Sequence, residues 1–181
     1  MLDKEKTIIE GLDIRFVKTV HDERGFLAEL LSEIEGEQHF FGKDIKHILA
    51  VVAKKKGAHR GGHYHKTSYE NSWVVGGSGV WYFCDFNSSS PSFEKSAAFL
   101  VGEKTMSISQ ELGIADYTLE TTGSICQFSV SPFIYHLIIP LQAPLTLLET
   151  ATKVYAESDY VRIKPQDIED TLLKKLTDFA L

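Results

Sequence analysis

Gly57 to Gly77, GAHRGGHYHKTSYENSWVVGG, is the stretch on which the reading of this chain turns. A single residue separates His63 from His65, and Glu70 follows after four more. Side chains alternate faces along a strand, so His63 and His65 in an extended segment point the same way. Glu70 joins them from the next strand after a short turn over Lys66 to Tyr69. Three potential ligands then converge on one small volume.

Outward from this stretch, most segments are short, rich in Val, Ile, Phe, Tyr and Thr, and separated by Gly, Asn, Ser or Pro. The pattern predicts strands over Asp13 to Val20, Phe26 to Ser32, Ile45 to Ala53, Glu70 to Val75, Gly79 to Phe86, Ala97 to Val101, Thr105 to Gln110, Ile125 to Val130, Ile134 to Pro140 and Leu145 to Val154. Gly76-Gly77-Ser78-Gly79 tolerates positive φ between two strong strand patterns and reads as a hairpin turn. Asn87 to Ser92 and Glu111 to Ala115 read as loops. The end of the chain differs: in Pro165 to Leu181 the apolar Ile168, Leu172, Leu173, Leu176 and Phe179 recur at helical spacing, with Asp167, Glu169 and Asp170 near the start. Residues 164–181 are therefore expected to form an amphipathic helix that covers a sheet face or a subunit contact. The class is all-β.

A chain of 181 residues, 43% hydrophobic and 24% charged, supports one core, and no linker divides it, so residues 1–181 read as a single domain. A formal net charge of −6, without a basic run longer than Lys54 to Lys56, argues against nucleic acid or an anionic membrane as partner. Cys84 and Cys126 are too few and too far apart for a disulfide framework, and MLDKEKTIIEG lacks the apolar core of a signal peptide. A cytoplasmic protein with reduced thiols is expected. Trp73, Trp81, Tyr82 and Phe83 read as core or barrel-wall residues, and His21, His39, His47 and His59 as surface or structural histidines.

The spacing from Gly57 through His63, His65 and Glu70 to Gly77 matches the first cupin motif at every defined position. The chain thus resembles the cupins, which implies a double-stranded β-helix, or jelly roll, with the C-terminal helix appended. Their second motif places a further histidine on a later strand after a proline; Pro132 and His136 in SPFIYHLIIP are the candidates, without the motif's intervening glycine and one residue closer together. His63, His65, Glu70 and His136 would then form a metal set. Three imidazoles and a carboxylate suit Zn, Fe, Mn or Ni. In other cupins the same positions hold no metal and the histidines act as acid, base or hydrogen-bond donor.

A narrower resemblance follows from three motifs. His21-Asp-Glu-Arg-Gly-Phe-Leu-Ala-Glu29, Arg60-Gly-Gly-His-Tyr-His65 and VWYFCDFNSSSPSF from Val80 to Phe93 are similar, in order, to motifs of the dTDP-4-dehydrorhamnose 3,5-epimerases. That resemblance implies a general base at His63 oriented by Asp85, with Arg24, Glu29 and Arg60 binding a nucleotide-linked sugar in a homodimer. The expected lysine falls at Glu70 and the expected tyrosine falls near Glu149, so the chain departs from the pattern at both. His65 and Glu70 together complete the cupin ligand set, and a bound cation would polarise a substrate carbonyl in the lysine's place. His63 cannot be ligand and free base through the same nitrogen. His-Tyr-His-Lys66 also resembles the dTDP-sugar 3,4-ketoisomerases, whose histidines work without metal, and the metal-bearing cupin domain of capsular-sugar reductases. The expected function is an epimerase or isomerase acting on a nucleotide-linked keto-deoxyhexose in surface-polysaccharide synthesis. The alternative is a metal-binding cupin without that activity, which binds a sugar or small molecule or performs metal-dependent oxygenase chemistry on another substrate.

Overall fold

Two long strands organise the computed structural model, which describes residues 4–17, 19–30, 44–102 and 125–180. In chain order the strands are β1 (Lys4–Lys6), β2 (Leu12–Val17), β3 (Thr19–Asp22), β4 (Gly25–Ala28), β5 (His47–Ala53), β6 (Arg60–His65), β7 (Glu70–Asp85), β8 (Ser96–Gly102), β9 (Ile125–Val130), β10 (Ile134–Ala151) and β11 (Tyr160–Arg162). They form one antiparallel sheet in the order β1-β2-β9-β7-β10-β6-β11, with β5 on β10 and β8 on β7, and a separate β3–β4 hairpin. This is the expected all-β jelly roll. The predicted strand 105–110, the loop 111–115, the end of strand 26–32 and His39 lie outside the described residues.

The glycine run does not reverse the chain. Glu70–Asp85 is a single strand, and the predicted pair 134–140 and 145–154 is likewise a single β10, with register shifts against β7 between Pro140 and Leu147. Close approach explains the glycines: Gly77 has φ +79°, and a Cβ there would lie 2.4 Å from the Pro144 carbonyl oxygen. The irregularity also switches the alternation, so Val74 and Trp81, an odd number of residues apart, both face the interior cluster. One strand can thus line both ends of the barrel. The 13–20 prediction also splits, because β2 pairs with β9 whereas β3 turns away to pair with β4.

Trp81, Phe83, Phe128, Ile134 and Ile138 fill the interior, with Trp81–Phe83 and Phe83–Phe128 ring centroids 5.5 and 5.4 Å apart. Trp73, Trp81, Tyr82 and Phe83 are buried, as expected. Cys84 and Cys126 are buried free thiols. On the outer face, Leu173 and Leu176 of helix α1 (Thr171–Ala180) pack on Tyr82, Leu137 and Ile139, each burial contributing about 1.5–3 kcal/mol. The helix begins later than residue 164: Pro165–Asp167 makes one 3-10 turn, and Asp170 caps α1 by accepting from the N–H groups of Leu172 (2.7 Å) and Leu173 (3.1 Å). Among the described residues, no helix is long and apolar enough to cross a membrane.

Candidate functional site

The backbone of β6 brings the histidines together. Gly61 has φ +80°, and a Cβ on it would sit 2.6 Å from the His136 carbonyl oxygen, so only glycine lets β6 approach β10 this closely. The approach pairs His63 directly with His136, ring centroids 4.6 Å apart, while alternation puts His65 on the same face at 5.0 Å from His63. Glu70, the first residue of β7, enters from the turn and offers one oxygen to each of two rings: Oε1 lies 3.1 Å from His65 Nε2 and Oε2 3.2 Å from His136 Nε2. One donor atom from each of His63, His65, Glu70 and His136 lies within 4.8 Å of the others. The sequence-predicted metal set is assembled in one place.

Second partners fix the rings. The His136 Nδ1 is 3.0 Å from the Ile134 carbonyl, so it carries the proton and leaves Nε2 for the centre. The His65 Nδ1 meets Asp159 Oδ2 at 3.0 Å, and Asp159 Oδ1 in turn accepts from the Thr67 N–H (2.8 Å) and hydroxyl (2.6 Å). The buried His65 Nε2 has no aligned hydrogen-bond partner despite its closeness to Glu70. Such an orphaned nitrogen beside a carboxylate oxygen is the arrangement expected of two lone pairs aimed at a shared cation. The four residues fit a divalent transition metal.

Electrostatics separates the members. Burial, then the neighbouring His136, push His63 down to about 3, so its ring is neutral at working pH. Burial opposes charge on Glu70, but the adjacent His136 and His65 rings outweigh it and hold the carboxyl well below its usual range. Burial also works against His65, yet Glu70 and Asp159 raise it. Glu149 behaves in the opposite way. Burial and then the Glu70 charge push its carboxyl up to about 7.

The remaining predicted residues lie elsewhere. Asp85 is fully buried and accepts from Ser92 Oγ (2.6 Å) and the Asn87 N–H (2.8 Å), which pins the 87–92 loop. No hydrogen bond joins it to His63 among the described residues; the carboxylates on the histidine rings are Glu70 and Asp159. Arg24 is exposed on the β3–β4 hairpin and bound to Asp22, and Glu29 is exposed just after β4. Arg60 is exposed at the start of β6 with its guanidinium on the Val52 carbonyl at 3.0 Å. Sequence reasoning missed Asp159 and Tyr160. They reach the site because β11 pairs with β6 in the register Tyr160↔His65, a contact across 95 residues that no local pattern announces.

Comparison with solved structures bears on this geometry. A dTDP-6-deoxy-D-glucose-3,5-epimerase RmlC from Legionella pneumophila, solved with dTDP-4-keto-L-rhamnose, superposes with a TM-score of 0.70 at 20% identity, covering 93% of this chain and 83% of that one. The chain has the fold of the dTDP-sugar epimerases. The RmlC epimerase of Mycobacterium tuberculosis gives a TM-score of 0.69 at 19% identity, over 89% of this chain and 72% of that one. The sugar 3,4-ketoisomerase QdtA of Thermoanaerobacterium thermosaccharolyticum, solved with TDP, gives 0.58 at 16% identity over 96% and 99%. No protein-family model and no curated protein sequence matches the chain. Within the epimerase fold, this chain carries Glu70 and His65 in the interior where the resemblance would put lysine and glutamine.

Proposed function

We propose that this protein enolises a nucleotide-linked keto-deoxyhexose, as an epimerase or isomerase, at a divalent metal held by His63, His65, Glu70 and His136. The observation that carries the reading is the convergence of these four donors, with the orphaned His65 Nε2 among them, inside the epimerase fold. The chemistry supplied by a bound ion is Lewis-acid polarisation of the keto carbonyl and stabilisation of the enolate oxygen. Zinc, iron, manganese and nickel all accept this donor set.

The chain's own residues supply binding and geometry. Arg24, Glu29 and Arg60 are assigned to the nucleotide sugar, the two guanidinium groups being suited to bidentate contact with a diphosphate. Arg24 projects on a hairpin whose Val20, Phe26 and Leu27 are also exposed, so a homodimer that buries this hairpin would bring Arg24 to a partner's site. His63 is assigned to the metal rather than to proton abstraction: its neutral nitrogen lies among three other donors, and a base pushed down to about 3 accepts a proton poorly at neutral pH. The solved ligand complexes of the epimerase and ketoisomerase neighbours support a nucleotide-sugar substrate. Buried free thiols suit a reducing cytoplasm, and surface-polysaccharide synthesis is the process to which we assign the reaction. Incubation with dTDP-4-keto-L-rhamnose in deuterium oxide, read by NMR, tests the reading. Deuterium should enter beside the carbonyl. No incorporation with any of the four metals would refute it.

A further inference from the structure

Among the described residues, Glu149 is a half-buried ionisable side chain beside the metal set that the set leaves unused. It stands on β10 opposite Ser72 of β7 and Leu49 of β5. Ser72 is two residues from Glu70 on the same face of β7, which makes Glu70 and Glu149 diagonal neighbours, within reach of two long side chains. Yet the Glu70 oxygens lie 3.1 and 3.2 Å from the His65 and His136 rings, whereas no hydrogen bond or ion pair holds the Glu149 carboxyl among the described residues. The half-buried Glu149 carboxyl, on the same face of β10 as the core residue Leu147, is thus free to meet a ligand.

Resting on the reading above, we infer that Glu149 is the catalytic base that moves the substrate's proton, leaving His63 to the metal. In the forward step the Glu149 carboxylate takes the proton from the carbon beside the keto group. The C–H bond breaks, its electron pair becomes the C=C bond of the enolate, the carbonyl π pair moves to oxygen, and a new O–H bond forms on Glu149. Return of a proton from the carboxyl to that carbon, either the one taken or one gained when the carboxyl exchanges with water, restores the keto group and the carboxylate. The basicity of the group suits this work, since burial and Glu70 push it up to about 7, near working pH. Glu70 of β7, His136 of β10, His65 of β6 and Tyr160 of β11 all act on it electrostatically, and His47 lies on the same face of β5 as Leu49.

The test uses zinc-loaded protein and dTDP-4-keto-L-rhamnose in deuterium oxide. Wild type should exchange, and Glu149→Gln should lose at least about a hundredfold in exchange rate while keeping zinc stoichiometry and KM. Exchange in Glu149→Gln within a few-fold of wild type would overturn the assignment and leave the enolising reading intact. No exchange in wild type would overturn both. Should Glu149→Gln fail to fold or to hold zinc, Glu149→Asp carries the test, because a base on a shorter arm must lower the exchange rate at equal zinc occupancy. An unchanged exchange rate in Glu149→Asp would overturn the assignment.

Discussion

Replacing His63 by glutamine should change how the metal-free protein responds to acid, and the size of the change follows from the site. The folded state holds His63 down to about 3 against an unfolded value of 6.5, burial being the main cause and His136 the second. Between these values the unfolded chain binds a proton that the folded chain refuses, so stability falls as pH drops, by up to about 1.4 kcal/mol per pH unit. Glu149 works in the opposite direction. Its folded value of about 7 exceeds the unfolded 4.5, so its contribution is fully present below 4.5 and is lost as pH rises through 7. Between pH 4.5 and 6.5 the two slopes nearly cancel in wild type. His65, which is raised, contributes fully below 6.5, and Glu70, which is lowered, contributes fully above 4.5, so neither changes in this window. Removing His63 leaves the Glu149 slope alone. Urea unfolding with a chelator present, at steps from pH 6.5 to 4.5, should therefore show His63→Gln gaining stability as acid is added, the gap to wild type changing by up to about 3 kcal/mol across the window. A gap that stays constant across the window would refute the account of His63 as a ring kept neutral by burial.

Two further substitutions probe how the cluster is built. Gly61→Ala should cost at least about 2 kcal/mol in unfolding free energy and lower zinc affinity as well, because a side chain at φ +80° meets the His136 carbonyl oxygen at 2.6 Å and must push β6 off β10. Equal zinc affinity in the variant and wild type, measured by competition with a chromogenic chelator, would contradict that geometry. Asp159→Asn should weaken zinc binding by about 10–100-fold with little change in fold, since it removes the carboxylate that orients His65 through Nδ1. Cobalt substitution followed by visible absorption would report the altered ligand field, and an unchanged spectrum and affinity would count against Asp159 as a positioning residue.

Much of this architecture is legible in the sequence because it is written in local patterns. Alternation places His63 and His65 on one face, the short turn to Glu70 sets the third donor, and the apolar spacing of Leu172, Leu173 and Leu176 announces a helix that covers a sheet. What escapes is whatever depends on contacts between distant strands. Gly76 to Gly79 has the composition of a turn, but its glycines serve the close crossing of β7 over β10, which only the paired strand reveals. Asp85 is acidic, buried and near the expected position, yet its partners are the loop residues Asn87 and Ser92. The carboxylate that meets His65 through Nδ1, Asp159, comes from a 3-10 turn next to β11, where no periodicity marks it. Glu149 stands in a predicted strand, and only the register of β10 against β7 and β5 shows it facing the interior.

Metal and enolisation are linked in one chain, so exchange must follow occupancy. Deuterium incorporation into dTDP-4-keto-L-rhamnose should be measured as zinc is titrated into chelator-stripped protein, with bound zinc counted by elemental analysis in the same samples. Exchange is predicted to rise in proportion to occupancy and to level off at one ion per chain. Full exchange by the stripped protein, or none at full occupancy, would contradict it.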